Sequence, residues 1–160
     1  MLSSGTLIGQ KVSFPSAVSS TDPSKRYSVV WSEATDSTDH LLVLHDLKTG
    51  KIRQLLKFSR HADFFWAPDG NAFAVTNWGG SDFSEAWIGF PQDSTRIIRL
   101  NMSSPETEKN HHVFFEVVRW RSNSSLLFKV NGGEHDPNGF EKFYTCKLDG
   151  KINEFKKAKN

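Results

Sequence analysis

The chain has 160 residues and a formal net charge of +2, from 20 Lys and Arg against 18 Asp and Glu; it is long enough for one domain with its own core and too weakly basic for a nucleic-acid footprint. Charged residues make up 24% and hydrophobic ones 37%, which excludes global disorder, and 13 Phe and 5 Trp against 2 Tyr place the aromatics in a core rather than on a polar recognition surface. Cys146 is the only cysteine, so neither an intrachain disulfide nor a cysteine metal site is expected, and no apolar run reaches the length of a membrane helix.

Residues 1–5 carry no signal-peptide features, and the compartment stays open: periplasmic or secreted if a signal peptide was removed, otherwise cytoplasmic. Residues 1–14 are rich in Ser and Gly, and Val12-Ser13-Phe14 alternates as an edge strand closed by Pro15. Ser16 to Pro23 reads as a polar loop. Tyr27–Ser32 and Leu41–Leu47 are β-branched and aliphatic runs that predict strands. Lys48-Thr49-Gly50-Lys51 predicts a hairpin turn, with Ile52–Phe58 returning as a strand; a helix over 52–58 would be too short to hold.

Phe64-Phe65-Trp66 and Ala72–Thr76 predict two strands around Pro68-Asp69-Gly70. Pro presets φ, Asp bonds its own backbone and Gly accepts positive φ, so this is the clearest turn in the chain. Asn77–Ser84 predicts a loop, Glu85–Phe90 a strand ended by Pro91, and Thr95–Leu100 another. Ser103–Asn110 reads as an exposed polar break. Val113-Phe114-Phe115, Val117–Trp120 and Leu126–Val130 predict three more strands, and 131–139 the longest turn-forming loop. The last hairpin pairs Phe143–Leu148 with Lys151–Phe155 through Asp149-Gly150, a pair that favours a type I′ turn. The lysine-rich end is expected to fray. No long amphipathic helix is predicted, and the class is all-β.

The segment around Pro68 recurs. With Trp120 set under Trp66, an offset of 54, Asn123 falls under Asp69, Leu127 under Phe73, Asn131 under Asn77 and Gly133 under Gly79. With Pro23 set under Pro68, an offset of 45, Val30 falls under Val75 and Ser32 under Asn77. Periods of about 40–50 residues with four short strands each are the mark of propeller blades. Trp66-Ala67-Pro68-Asp69-Gly70-Asn71-Ala72-Phe73-Ala74-Val75-Thr76-Asn77 resembles the WD40-like "PD40" repeat of the TolB type and is similar to blades of the dipeptidyl-peptidase propeller. In that family a Trp-Ser-Pro-Asp-Gly-Lys turn leads into an apolar strand. The likeness covers one unit well and two poorly: Ser122-Asn123-Ser124 lacks Pro and Gly, and Pro23-Ser24-Lys25 lacks Asp-Gly. The resemblance implies about three propeller-like blades, in units near 16–60, 61–110 and 111–157. Three units are fewer than the roughly four that usually close a propeller, so an incomplete or oligomer-closed propeller is expected, the alternative being a β-sandwich. It also implies that peptidase activity, where the family has it, sits in a separate catalytic domain.

Candidate chemistry is sparse. His111-His112 with His135 and Asp136 contains metal-ligand types, but neighbouring residues on a strand point to opposite faces. Glu134, Asp136, Asn131 and Asn138 offer oxygens for calcium without EF-hand spacing. Ser81, Ser84, His61 and Asp63 are nucleophile, base and acid types with no nucleophile elbow around them. Trp78 and Phe83 differ, because large apolar residues beside Gly79-Gly80 must fold back on the core or meet a partner. Arg60, His61 and Trp31-Ser32 join them if the units stack as aligned. The expectation is a non-enzymatic protein-binding module without cofactor or metal, with homo-oligomerisation as one way to close it, that meets a protein partner through loops or an edge strand. Trp78 and Phe83 would be its anchors, with a polar rim of Asp82, Glu85, Glu134 and Asp136. An inhibitor or immunity-type protein is the sharper version. The competing expectation is a small-ligand or metal binder, or a hydrolase, using His135 and Asp136 of loop 131–139. Neither nucleic-acid binding nor membrane insertion is expected.

Overall fold

The computed structural model describes residues 10–80, 83–110, 112–133, 137 and 139–156. Three antiparallel sheets follow one another along the chain. The first contains β2 (Ser19–Thr21), β3 (Tyr27–Glu33), β4 (His40–Asp46) and β5 (Ile52–Phe58), in that order. The second runs β6 (His61–Trp66), β7 (Phe73–Trp78), β8 (Ser84–Phe90) and β9 (Asp93–Arg99), and its β6 edge is paired with β1 (Val12–Phe14). After a short helix, α1 (Pro105–Lys109), the third runs β10 (Val113–Ser122), β11 (Ser125–Gly132), β12 (Phe140–Lys147) and β13 (Ile152–Phe155). Four consecutive strands per sheet, each in a simple meander, is the blade pattern.

The second sheet lies between the other two, and this explains its sequence. A sheet covered on both faces has no reason to alternate, and β6 to β8 are buried almost continuously along their length. Its larger side chains, Phe64, Trp66, Phe73 and Trp87, pack with Val29, Leu42 and Leu44 of the first sheet. Its other face mixes large residues, Phe65, Ile88 and Phe90, with small ones, Ala72, Ala74 and Ala86, and receives Trp120, Phe128 and Tyr144 from the third sheet. Each fully buried Phe contributes about 1.5–3 kcal/mol by leaving water, and Phe14, Phe58, Phe64, Phe65, Phe73 and Phe128 are all in that state.

The repeat is visible in hydrogen bonds as well as in shape. The β6–β7 turn is closed by Ala67 N–H to Ala72 O at 2.9 Å and Gly70 N–H to Ala67 O at 2.9 Å. The β2–β3 turn has the same two bonds at positions 45 residues earlier, Asp22 N–H to Tyr27 O at 3.0 Å and Lys25 N–H to Asp22 O at 2.9 Å. Lys25 takes the place of Gly70 and adopts a φ of 62° where Gly70 has 75°. The two turns touch: a Cβ added to Gly70 would stand 2.5 Å from Asp22 Oδ2. Asp22 is itself fixed, accepting from Tyr27 N–H at 2.7 Å and Ser24 N–H at 2.9 Å.

Two indoles fasten each sheet to the one before it. Trp66 Nε1 donates to Ser20 O at 3.3 Å, and Trp120 Nε1 donates to Phe65 O at 3.0 Å. Trp66 and Trp120 are 54 positions apart and their acceptors, Ser20 and Phe65, 45 apart. Side-chain hydroxyls of the second sheet complete the joint with the third. Ser84 Oγ donates to Phe115 O at 2.9 Å and accepts from Phe115 N–H at 3.0 Å, while Thr76 Oγ1 accepts from Val117 N–H at 3.0 Å. These bonds occupy backbone groups of β10, a strand at the edge of its sheet.

Several local expectations need correction. Ser19–Thr21 is a strand rather than loop, because pairing with β3 and the Trp66 indole satisfy a backbone that its own side chains do not bury. Asn77 and Trp78 belong to β7 and Ser84 to β8, since Trp78 pairs with both His61 and Ser84, so the predicted 77–84 loop is shorter. Val113–Ser122 is one bulged strand rather than two. The polar break holds α1, capped by a reciprocal Ser104–Thr107 box. Asp149-Gly150 is not a type I′ turn. That turn needs positive φ at both central residues, and Gly150 has it (90°) whereas Asp149 does not; the hairpin closes through Lys147 N–H to Lys151 O at 3.0 Å around three residues.

Candidate functional site

Trp78 sits half-buried at the end of β7 and is tied into the fold. Its Nε1 donates to Asp63 Oδ2 at 2.9 Å, and Ser13 Oγ donates to Asp63 Oδ1 at 2.7 Å. Asp63 is 3% exposed, so these two donors supply what water would otherwise provide. The Trp78 ring stacks on His61, with centroids 5.4 Å apart and planes at 22°, and approaches Phe114 of β10 at 6.2 Å. One indole thus links β1, β6, β7 and the third sheet. Replacing Trp78 by Ala is expected to lower unfolding free energy by about 2–3 kcal/mol, from lost packing and an unpaired buried carboxylate oxygen, and Trp78→Phe by about 1 kcal/mol. Urea denaturation of the two variants measures both, and an unchanged midpoint for Trp78→Ala would contradict this account.

Phe83 and Glu85 lie at the same end of the second sheet. The Phe83 ring folds over Gly79, where an added Cβ would stand 2.5 Å from it, yet the side chain stays 46% exposed. Glu85 is exposed on β8, opposite Asn77. Asp82 lies outside the described residues, as do Glu134, His135, Asp136, Asn138 and His111. The strand leading into 131–139 ends at Gly132, which pairs with Val113 beside Phe114. The two loops singled out by sequence therefore start from neighbouring sheets.

The described residues assemble no catalytic set. Ser84 Oγ is engaged by both backbone groups of Phe115, and Ser13 Oγ by Asp63. Cys146 is fully buried, and burial pushes its thiol up to about 11, far from a reactive thiolate. Among the described residues no three His, Cys, Asp or Glu side chains are grouped so as to hold a metal ion. No helix among them is long and apolar enough to cross a membrane.

A feature that sequence reasoning missed lies between the first and second sheets. Three depressions share lining residues and so lie side by side. The widest, about 650 Å³, opens between the β4–β5 turn and the β8–β9 turn, with Tyr27, Leu44 and Pro91 as apolar walls and Arg26, Lys51 and Arg53 as cations. Arg53 and Ser94 also line a second depression of about 80 Å³, with Leu55, Trp87 and Ile97. Those last three continue into a third of about 170 Å³ that ends at Asn77 and Glu85. The groove is flanked by β5 and β9, each the last strand of its sheet and unpaired on its outer edge among the described residues. Ile52 and Ile97 stand 64% and 52% exposed along it. Both ends hold a buried polar atom without a hydrogen-bond partner, Arg26 Nε at one and Asn77 Oδ1 at the other.

Arg53 bridges the two sheets, with Nη2 donating to Phe90 O at 3.1 Å. Burial lowers its pKa from the ordinary arginine value, opposed by Tyr27 and Asp93. Arg26 lies 5.1 Å over the Tyr27 ring and reaches Asp46 Oδ2 at 3.4 Å. Desolvation pushes the Asp46 carboxyl upward, but bonds from Lys48 N–H, Thr49 N–H and Arg26 outweigh it and hold the pKa below the usual value.

No protein-family model and no curated protein sequence matches the chain. Among solved structures, the β-propeller domain of the Trilobed protease from Pyrococcus furiosus, described as having an open velcro topology, matches with a TM-score of 0.60 at 13% identity, over 86% of this chain and 42% of that one. A prolyl endopeptidase structure matches over 90% of this chain and 28% of that one, at 8% identity and a TM-score of 0.36. The chain spans less than half the length of either neighbour. What the first comparison shows is the fold: the three sheets are propeller-like blades, and among the described residues they do not close a ring.

Proposed function

We propose that the chain is a non-catalytic protein-binding module, and that an extended segment of its partner lies in the groove between the first two sheets. The observation that carries this reading is the pair of unpaired strand edges, β5 and β9, on either side of a partly apolar groove. Such an edge offers main-chain hydrogen bonds to an added strand, and alternate side chains find pockets beside it. The exposed Phe83 and Glu85 extend the surface at the Asn77 end. Asp82, Glu134 and Asp136, expected from sequence to form a polar rim, lie outside the described residues. The Trp-Ala-Pro-Asp-Gly turn supports placing these blades with the TolB-type repeat.

The experiment is site-specific photo-crosslinking in native cells, with benzoylphenylalanine at Gln54 in the groove and at Glu141 on the third sheet as control. A discrete cross-linked product from position 54, absent from position 141 and removed by Ile97→Asp, is the expected result. Absence of any product specific to position 54 would sink the reading.

A further inference from the structure

We infer that the wide end of the groove, at Arg26, Lys51 and Arg53, is a subsite for carboxylate side chains, so that the segment it receives is an acidic extended peptide. This rests on the protein-binding reading above and specifies its partner. Three cations line one cleft of about 650 Å³. The only carboxylate in its lining is Asp46, already held by Arg26 at 3.4 Å and by the Lys48 and Thr49 amides at 3.0 and 3.3 Å. Among the described residues, Lys51 and Arg53 form no ion pair within 4 Å. Arg26 Nε is shielded from solvent without an acceptor, a state that a native structure normally relieves with a partner. A guanidinium held between sheets also loses little freedom on binding, which suits it to carboxylates.

Charge alone would admit other polyanions. The cleft's walls narrow the choice, because Tyr27, Leu44 and Pro91 offer apolar contact beside the cations. The groove then continues along β5 past Leu55, Trp87 and Ile97, which suits a chain alternating acidic and aliphatic residues. A polynucleotide draws on a basic stripe and a strong overall field, and the net charge here is only +2.

The test is fluorescence anisotropy with a labelled peptide of alternating glutamate and valine, a lysine–valine counterpart, and a single-stranded oligothymidine. The acidic peptide is expected to bind, to weaken as salt rises, and to lose about tenfold in affinity in Lys51→Glu and again in Arg26→Gln. Lys147→Glu, the same charge change on the third sheet, is expected to leave it unaltered. Thermal melts of each variant separate lost binding from lost fold. No binding of the acidic peptide, equal binding of both peptides, tighter binding of the oligothymidine, or indifference to Lys51→Glu overturns the inference. The two readings fail separately. A cross-link at Gln54 that Lys51→Glu does not weaken leaves the module reading intact and removes the acidic segment, whereas absence of the cross-link removes the module reading itself.

Discussion

Trp120→Ala is expected to cost about 3–5 kcal/mol of unfolding free energy, the range for deleting a large core aromatic. Trp120 is 5% exposed and stands in the cluster that joins the second and third sheets. It packs in one cluster with Phe65, Ile88 and Phe90 and with Ala72, Ala74 and Ala86, and the alanines have no length with which to close the gap. Its indole N–H is also spent on Phe65 O at 3.0 Å. Trp120→Phe isolates that second term: it keeps most of the ring, removes the donor, and should cost about 1–2 kcal/mol. Domains of this size are stable by about 5–15 kcal/mol, so the alanine variant gives up a large share and should melt well below the parent. Calorimetry and urea unfolding provide the check. Equal costs for Ala and Phe would mean that the hydrogen bond, not the packing, dominates the joint.

Gly70→Ala is expected to lose about 2–4 kcal/mol, because Gly70 is buried in its turn and has no room for a side chain. Two causes act together. The backbone at Gly70 has a φ of 75°, a region where a side chain costs roughly 1 kcal/mol or more. The new methyl would also meet Asp22 Oδ2 at 2.5 Å. Asp22 cannot simply swing away, because it caps the neighbouring turn through Tyr27 and Ser24. Gly50→Ala provides the contrast: it has a φ of 77° and nothing within 4 Å of the added methyl, so only the backbone cost applies. A chemical denaturation series in which the two variants are equally destabilised would remove the steric argument.

Much of this architecture was legible where turn chemistry and burial agree. Pro68-Asp69-Gly70 sits between two strands buried on both faces, and so the motif announced itself. The alignment of Trp66 with Trp120 marked a real equivalence because both indoles bond the preceding sheet, and that of Pro23 with Pro68 because the turns around them close through the same two backbone bonds. Less legible were elements that depend on another sheet. Ser19-Ser20-Thr21 has no apolar residue to signal a strand and is held by β3 and by an indole 46 residues away. Trp78 was assigned to a loop because two glycines follow it, and nothing local indicated that a buried Asp63 would claim its N–H. The groove was invisible for a similar reason. Its cations come from positions 26, 51 and 53 and its opposite wall from 87 to 97, so no periodicity or motif joins them until the first two sheets are laid side by side.

The two indole bonds give the molecule a direction. Each runs from a donor in the later sheet to a carbonyl in the earlier one. A buried carbonyl freed of its partner keeps a second lone pair and tolerates water, whereas an indole N–H has one use only. Losing the third sheet therefore strands no indole on the second, while losing the first leaves Trp66 without its acceptor. During synthesis the chain emerges in the order that supplies each acceptor before its donor arrives. For these two bonds, assembly from the amino-terminal side meets a ready-made dock, and the reverse order does not.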